Sequence, residues 1–81
     1  MTPWKLELVE RRQRAICQTM PDYDVVLNGA VVAKCYHNMS GYCIDRGLPT
    51  PRGSRLDPGE ISLAKMRREV STLNREAKAI G

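Results

Sequence analysis

The sequence predicts an α+β domain in the order α-β-β-β-α. Three observations carry that expectation: two valine-rich runs flanking Asn28-Gly29, a stretch over 3–19 without internal breakers, and a long amphipathic stretch over 58–79. At 81 residues this is one domain.

The first element is expected to be a helix over 3–19. Thr2 suits an N-cap and Pro3 the first helical position. Leu6, Val9, Ile16 and Met20 then fall on one side at helical spacing, with Cys17 beside them. Trp4 and Leu8 take the other side, with Arg11 in line and Arg12 and Arg14 flanking. Such a strip is either a solvated face or a basic contact strip beside an exposed tryptophan. Pro21-Asp22 ends the helix.

A three-stranded antiparallel sheet is expected over 23–45. Asn28-Gly29 suits a two-residue type I′ turn, because both central positions need φ > 0. The register then opposes Leu27 to Ala30, Val26 to Val31, Val25 to Val32 and Tyr23 to Lys34. Alternation places Tyr23, Val25, Leu27, Val32, Lys34 and Tyr36 on one face, and Asp24, Val26, Val31, Ala33 and Cys35 on the other. His37 to Gly41 reads as a five-residue turn. A third strand at 42–45 would oppose Tyr42 to Tyr36 and Cys43 to Cys35.

Residues 46–56 hold two prolines and two glycines and form a loop, either an Ω shape or a short irregular hairpin with its tip at Arg52-Gly53. Arg46, Arg52 and Arg55 make it the most basic non-helical segment. The last helix is expected over 58–79, with Asp57 as N-cap, Pro58 in the first turn and Glu60 completing a capping box. Leu63, Met66, Val70, Leu73, Ala77 and Ile80 form its apolar stripe. The stripe packs on the sheet or, being under three heptads long, serves as a weak homodimer seam. Lys65, Arg67, Arg68, Glu69, Arg75, Glu76 and Lys78 cover the outer face with mixed sign.

Several functional classes lose their support at this level. No apolar run is long enough to cross a membrane, and the N-terminal stretch is too charged to read as a secretory signal, so a cytoplasmic chain is expected. His37 is the only histidine and no Gly-x-Ser-x-Gly occurs, which leaves no serine triad. Gly47 and Gly53 are separated by prolines and no Gly-Lys-Ser/Thr follows, which leaves no phosphate loop. Cys17, Cys35, Cys43 and His37 are a legitimate zinc set by chemistry, but no Cys-x2-Cys pair occurs. Buried free thiols in a reducing compartment are the simpler expectation, with no metal, no cofactor and no enzyme.

What remains is binding. The formal charge is +4, moderate for a nucleic-acid binder. Tyr23, Tyr36 and Tyr42 beside Lys34 form either an aromatic platform for stacked bases or amphipathic residues at the edge of the core. The contact residues expected are Arg46, Arg52 and Arg55 first, then Arg11, Arg12 and Arg14, with Tyr36 as an aromatic neighbour. An arginine loop enters an acidic protein groove as readily as it touches phosphate.

The valine hairpin, the Pro/Gly/Arg loop, the terminal helix and the low cysteine count in one small domain resemble, in size and style over the whole chain, the small accessory proteins of phages and mobile elements, anti-CRISPR proteins among them. The resemblance assigns no residue a role. It implies a steric inhibitor that blocks a surface of a larger protein or nucleoprotein complex. A small basic nucleic-acid-binding protein is the alternative.

Overall fold

A computed structural model describes residues 3–11, 20–38 and 41–80. Five strands are followed by one helix: β1 (Leu6–Arg11), β2 (Asp22–Leu27), β3 (Ala30–Asn38), β4 (Gly41–Ile44), β5 (Gly59–Ile61) and α1 (Leu63–Ile80). The strands form a single antiparallel sheet in sequence order.

The expected N-terminal helix is overturned where its residues are described. Leu6–Arg11 is a strand that pairs along all of β2, from Leu6 opposite Leu27 to Arg11 opposite Asp22. The remainder of that expected helix, with Arg12, Arg14 and Cys17, lies outside the described residues. The physical reason is local. Trp4-Lys5-Leu6-Glu7-Leu8 alternates apolar and polar with period two, which suits a half-buried strand. Leu6 is buried, and Trp4 and Leu8 pack against the core. The exposed tryptophan of the helical reading is therefore also corrected.

The turn at Asn28-Gly29 stands where the sequence puts it, with φ of 50° and 87°. Asn28 also prolongs β1: its N–H donates to the Lys5 carbonyl at 3.0 Å, and its Oδ1 accepts the Lys5 N–H at 2.8 Å. Beyond Val26–Val31 the expected register fails. Val25 lies opposite Ala33 and Tyr23 opposite Cys35, because Val32 is the extra residue of a bulge. That single insertion moves Ala33 and Cys35 to the side of Tyr23 and Val25, and Lys34 and Tyr36 to the other.

The expected five-residue turn and third-strand register are also corrected. β3 continues through Asn38, opposite Gly41, so Tyr42 faces His37, Cys43 faces Tyr36 and Ile44 faces Cys35. Asp45 extends this pairing, donating its N–H to the Lys34 carbonyl and accepting the Lys34 N–H on Oδ1. The 46–56 loop takes the hairpin form: Leu56 N–H donates to Leu48 O, Thr50 N–H to Ser54 O, and Pro49 bridges Arg55. Pro51-Arg52-Gly53 is its tip, with Gly53 at φ 90° closing onto the Thr50 carbonyl.

The last helix begins later than expected. Residues 59–61 are β5, and the N-cap is Ser62, whose Oγ accepts the Lys65 N–H at 3.1 Å. Asp57 and Glu60 therefore form no capping box. From the expected stripe, Met66, Val70 and Leu73 are buried on the sheet and Leu63 is partly so, while Ile80 is exposed.

The core lies between α1 and one sheet face. It gathers Leu6, Tyr23, Val25, Ala33, Cys35, Tyr42 and Ile44 from the strands, Leu48 from the loop and the three helix residues. Tyr23 and Tyr42 stack at 5.5 Å, and Tyr42 donates its hydroxyl to the Pro21 carbonyl at 2.8 Å. Among the described residues, no helix is long and apolar enough to cross a membrane.

Candidate binding surface

The strand registers fix what the other sheet face carries. Successive side chains point to opposite sides. The residues alternating with the core set are Glu7, Val26 and Val31 in one cross-strand row, Val9, Asp24 and Lys34 in the next, and Arg11 and Asp22 in the third. Tyr36, Cys43 and Glu60 continue the third row across β3, β4 and β5. Among the described residues, no helix or strand covers this face. Val31 is 53% exposed, and Val9 and Tyr36 are each 44% exposed.

Arg11 organises the third row. Its Nε lies 3.1 Å from Asp24 Oδ1 and its Nη2 3.6 Å from Asp22 Oδ2. Its guanidinium carbon stands 5.2 Å from the Tyr36 ring centroid, over the ring. Neither short N···O approach has hydrogen-bond alignment, so these are charge pairs rather than a bidentate clamp. The 30% exposure of the Arg11 side chain keeps their contribution modest. Asp22 also braces β3, because its Oδ1 accepts the His37 N–H at 2.8 Å. The guanidinium and the ring are thereby held in place before any partner arrives.

The expected contact residues are split. Arg11 and Tyr36 meet on the open face. Arg12 and Arg14 lie outside the described residues. Arg46 and Arg52 are exposed on the loop. Arg55 is exposed as well, but it is tied to its own chain: its Nη1 donates to the Gly47 carbonyl at 3.0 Å and to the Val32 carbonyl at 3.2 Å. It thus holds the loop to the bulge. Val32 and Tyr36 are four residues apart on β3, roughly 13 Å at the rise of a strand. Arg55 and the Arg11–Tyr36 pair therefore do not form one patch.

The tyrosine platform is dismantled. Tyr23 and Tyr42 are buried on the helix side, and only Tyr36 is on the open side. Burial, reinforced by Tyr23 and Asp22 nearby, raises the Tyr42 hydroxyl above its ordinary pKa.

Cys35 and Cys43 are both free. They sit on opposite sheet faces, so neither a mutual disulfide nor a shared metal suits them. Among the described residues, no three metal-ligating side chains gather. Cys35 is fully buried, its Sγ 3.2 Å from Met66 Sδ, and burial with Asp45 nearby pushes its thiol up to about 12. His37 lies edge-on to Tyr42, with ring centroids 5.4 Å apart.

Among the described residues, two cavities flank the helix. One, of about 280 Å³, is bordered by Leu48, Leu56, Pro58 and Ile61 with Lys65 and Glu69 at its rim. The other, of about 320 Å³, runs between β1 and α1 and is lined by Leu8, Glu10, Tyr23, Arg67 and Val70.

Sequence reasoning missed three features: the open-face valines, the Asp22–Asp24–Arg11 set, and Asn74. Asn74 reaches from α1 to the outer side of β1, where its Oδ1 accepts the Leu6 N–H and its Nδ2 donates to the Leu6 carbonyl, both at 2.9 Å. The alternation around Asp22-Tyr23-Asp24-Val25 was the one signal for the acidic pair. No local signal marks Asn74. Compared with protein-family models, curated proteins and solved structures, the chain matches none.

Proposed function

We propose that this chain is a non-catalytic binding protein that acts by stoichiometric occupation of a surface on a larger protein or nucleoprotein complex, with the open sheet face as its contact area. The observation that carries the reading is the exposed Val9 and Tyr36 beside Arg11, whose guanidinium stands over the Tyr36 ring, with Val31 exposed two cross-strand rows away on the same face. Aromatic residues and arginine are enriched at interface centres. Arg11 and Tyr36 are already ordered by Asp22 and Asp24, so little side-chain entropy is lost on docking. The style shared with phage accessory proteins, the anti-CRISPR group among them, makes a cytoplasmic host-defence complex the partner we favour.

The test uses the full chain as bait in extract of its host, with and without nuclease. One stoichiometric complex should be captured in both conditions. Tyr36→Ser and Val31→Lys should each release it, while Arg52→Ala on the remote loop should retain it. Capture that survives both face substitutions refutes the assignment of the face.

A second reading has its own observation. The outer side of α1 carries Lys65, Arg67, Arg68, Arg75 and Lys78 against Glu69 and Glu76, a surplus of three positive charges out of the chain's four. Nucleic-acid binding through this helix would fall steeply and linearly in log–log with salt. Substituting Arg67 and Arg68 would lower that slope, whereas Tyr36→Ser would leave it unchanged.

A further inference from the structure

The outer edge of β1 is a second surface, which borders the open face and shares Val9 and Arg11 with it. Leu6 gives both its backbone groups to Asn74, not to β2. In an antiparallel pair, alternate residues point their backbone groups away from the partner strand. Leu8 and Glu10 share the outward phase of Leu6, and among the described residues nothing pairs with them on that side. Unpaired edge groups of this kind are a template for another strand.

We propose that two copies of this chain associate through antiparallel β1–β1 pairing centred on Val9, joining two five-stranded sheets into one. Three registers are open to outward-pointing residues, and two of them fail. Centring on Leu8 would oppose Glu10 to Leu6, whose groups Asn74 already holds. Centring on Glu10 would set that carboxylate against its own copy. Centring on Val9 pairs Leu8 with Glu10 twice, using backbone groups that nothing among the described residues takes on that side. On the open face it opposes Val9 to Val9, and Glu7 of one copy to Arg11 of the other. Arg11 uses Nε for Asp24 and Nη2 for Asp22, which leaves Nη1 outside both pairs. Charged residues often protect an edge from pairing. Here the same charges become complementary when the strand meets itself, and the exposed Val9 is covered. Asn74 limits the paired stretch to residues 7–11, so the contact is small and the association weak, with a dissociation constant from about 10 µM to 1 mM.

Sedimentation equilibrium on the full chain over that range should show a monomer–dimer equilibrium. Val9→Lys, at an exposed position, sets two ammonium groups against each other and should weaken association at least about tenfold. Circular dichroism confirms that the variant is folded. A second variant reads the register. Val9→Cys places two thiols at a pair with Cα atoms about 4.5 Å apart, within disulfide reach. Mild oxidation should give a covalent dimer whose peptide map shows the two introduced thiols joined to each other, with the native cysteines left reduced. A chain monomeric at about 1 mM overturns the proposal. So does a dimer that Val9→Lys leaves intact, which would place the seam elsewhere, on α1 for example. Failure of the Val9→Cys link in a dimeric chain overturns the register.

Discussion

Asn74→Ala tests how α1 is fastened to the sheet. The side chain makes two hydrogen bonds of 2.9 Å to the Leu6 backbone, both partly buried. Each contributes about 1 kcal/mol net, so their loss costs about 2 kcal/mol. Alanine is the better helix former, which returns about 0.6 kcal/mol. The expected net loss is about 1.5 kcal/mol, or a melting temperature lower by about 6–12 °C for a domain of this size. Thermal unfolding followed by circular dichroism measures it. Ser71→Ala, exposed on the same helix, is the control and should stay within about 2 °C. Asn74→Asp separates the two bonds: it keeps an acceptor for the Leu6 N–H but turns a carboxylate oxygen toward the Leu6 carbonyl, so it should recover none of the loss. Hydrogen exchange at the Leu6 amide should accelerate in both Asn74 variants. If Asn74→Ala melts within about 2 °C of the parent, water replaces the side chain without cost and the clamp is not what holds the helix.

At neutral pH in the native state, iodoacetamide should modify Cys43 and spare Cys35, as read by peptide mass mapping, because Cys35 is fully buried and its thiol is pushed up to about 12. Equal labelling would mean that the sheet opens faster than the reagent reacts. The same thiol makes stability alkali-sensitive: a folded pKa above the ordinary 9.0 means that the folded state holds its proton longer, so a contribution of at most about 4 kcal/mol is present below pH 9 and is lost as pH rises toward 12. Tyr42, also raised, shifts stability in the same direction above its ordinary value of 10.0. Cys35→Ala should flatten the part of the urea-midpoint profile that begins at pH 9. Gly47→Ala should cost at least about 2 kcal/mol, since φ is 76° and the new Cβ would overlap the Leu56 carbonyl oxygen; a urea midpoint equal to the parent's would refute the close approach.

The parts of this fold readable in advance are those whose cause is local. Asn28-Gly29 needs only its own two dihedral angles, and the Met66, Val70, Leu73 stripe needs only helical periodicity. The parts misread depend on competition between neighbours in space. Leu6 and Val9 suit a helix by spacing, but Trp4-Lys5-Leu6-Glu7-Leu8 also suits a strand, and the strand prevails because β2 supplies an edge for all six residues to pair with. The bulge at Val32 leaves no mark in the sequence. It is sustained by Arg55, twenty-three residues away, whose Nη1 takes the Val32 carbonyl. Ser62 displaces Asp57 as the N-cap because Gly59–Ile61 has first to complete the sheet. Arg11 and Tyr36 are both among the contact residues the sequence offers, but not as a pair, since Arg11 is expected there on a helix beside Trp4. The valines of the open face are misplaced for other reasons: Val9 falls on the apolar side of the expected helix, and Val31, paired with Val26 as expected, lies on a face that no helix covers among the described residues.

The arginines show why counting charge along a chain locates a surface poorly. Arg55, Arg11 and the helix cations are alike in the sequence, yet they do three different things. Arg55, though exposed, satisfies two carbonyls of its own chain, so replacing it perturbs the loop before it perturbs any partner. Arg11 is matched by two carboxylates, so the face around it is not a basic face at all. With Glu7, Asp22, Asp24 and Glu60 against Arg11 and Lys34, the open side of the sheet is acidic on balance. The positive surplus instead lies across the molecule on α1. A phosphate backbone and an apolar protein surface would therefore meet opposite sides of this domain. A substitution on either side reports on one kind of partner without disturbing the other.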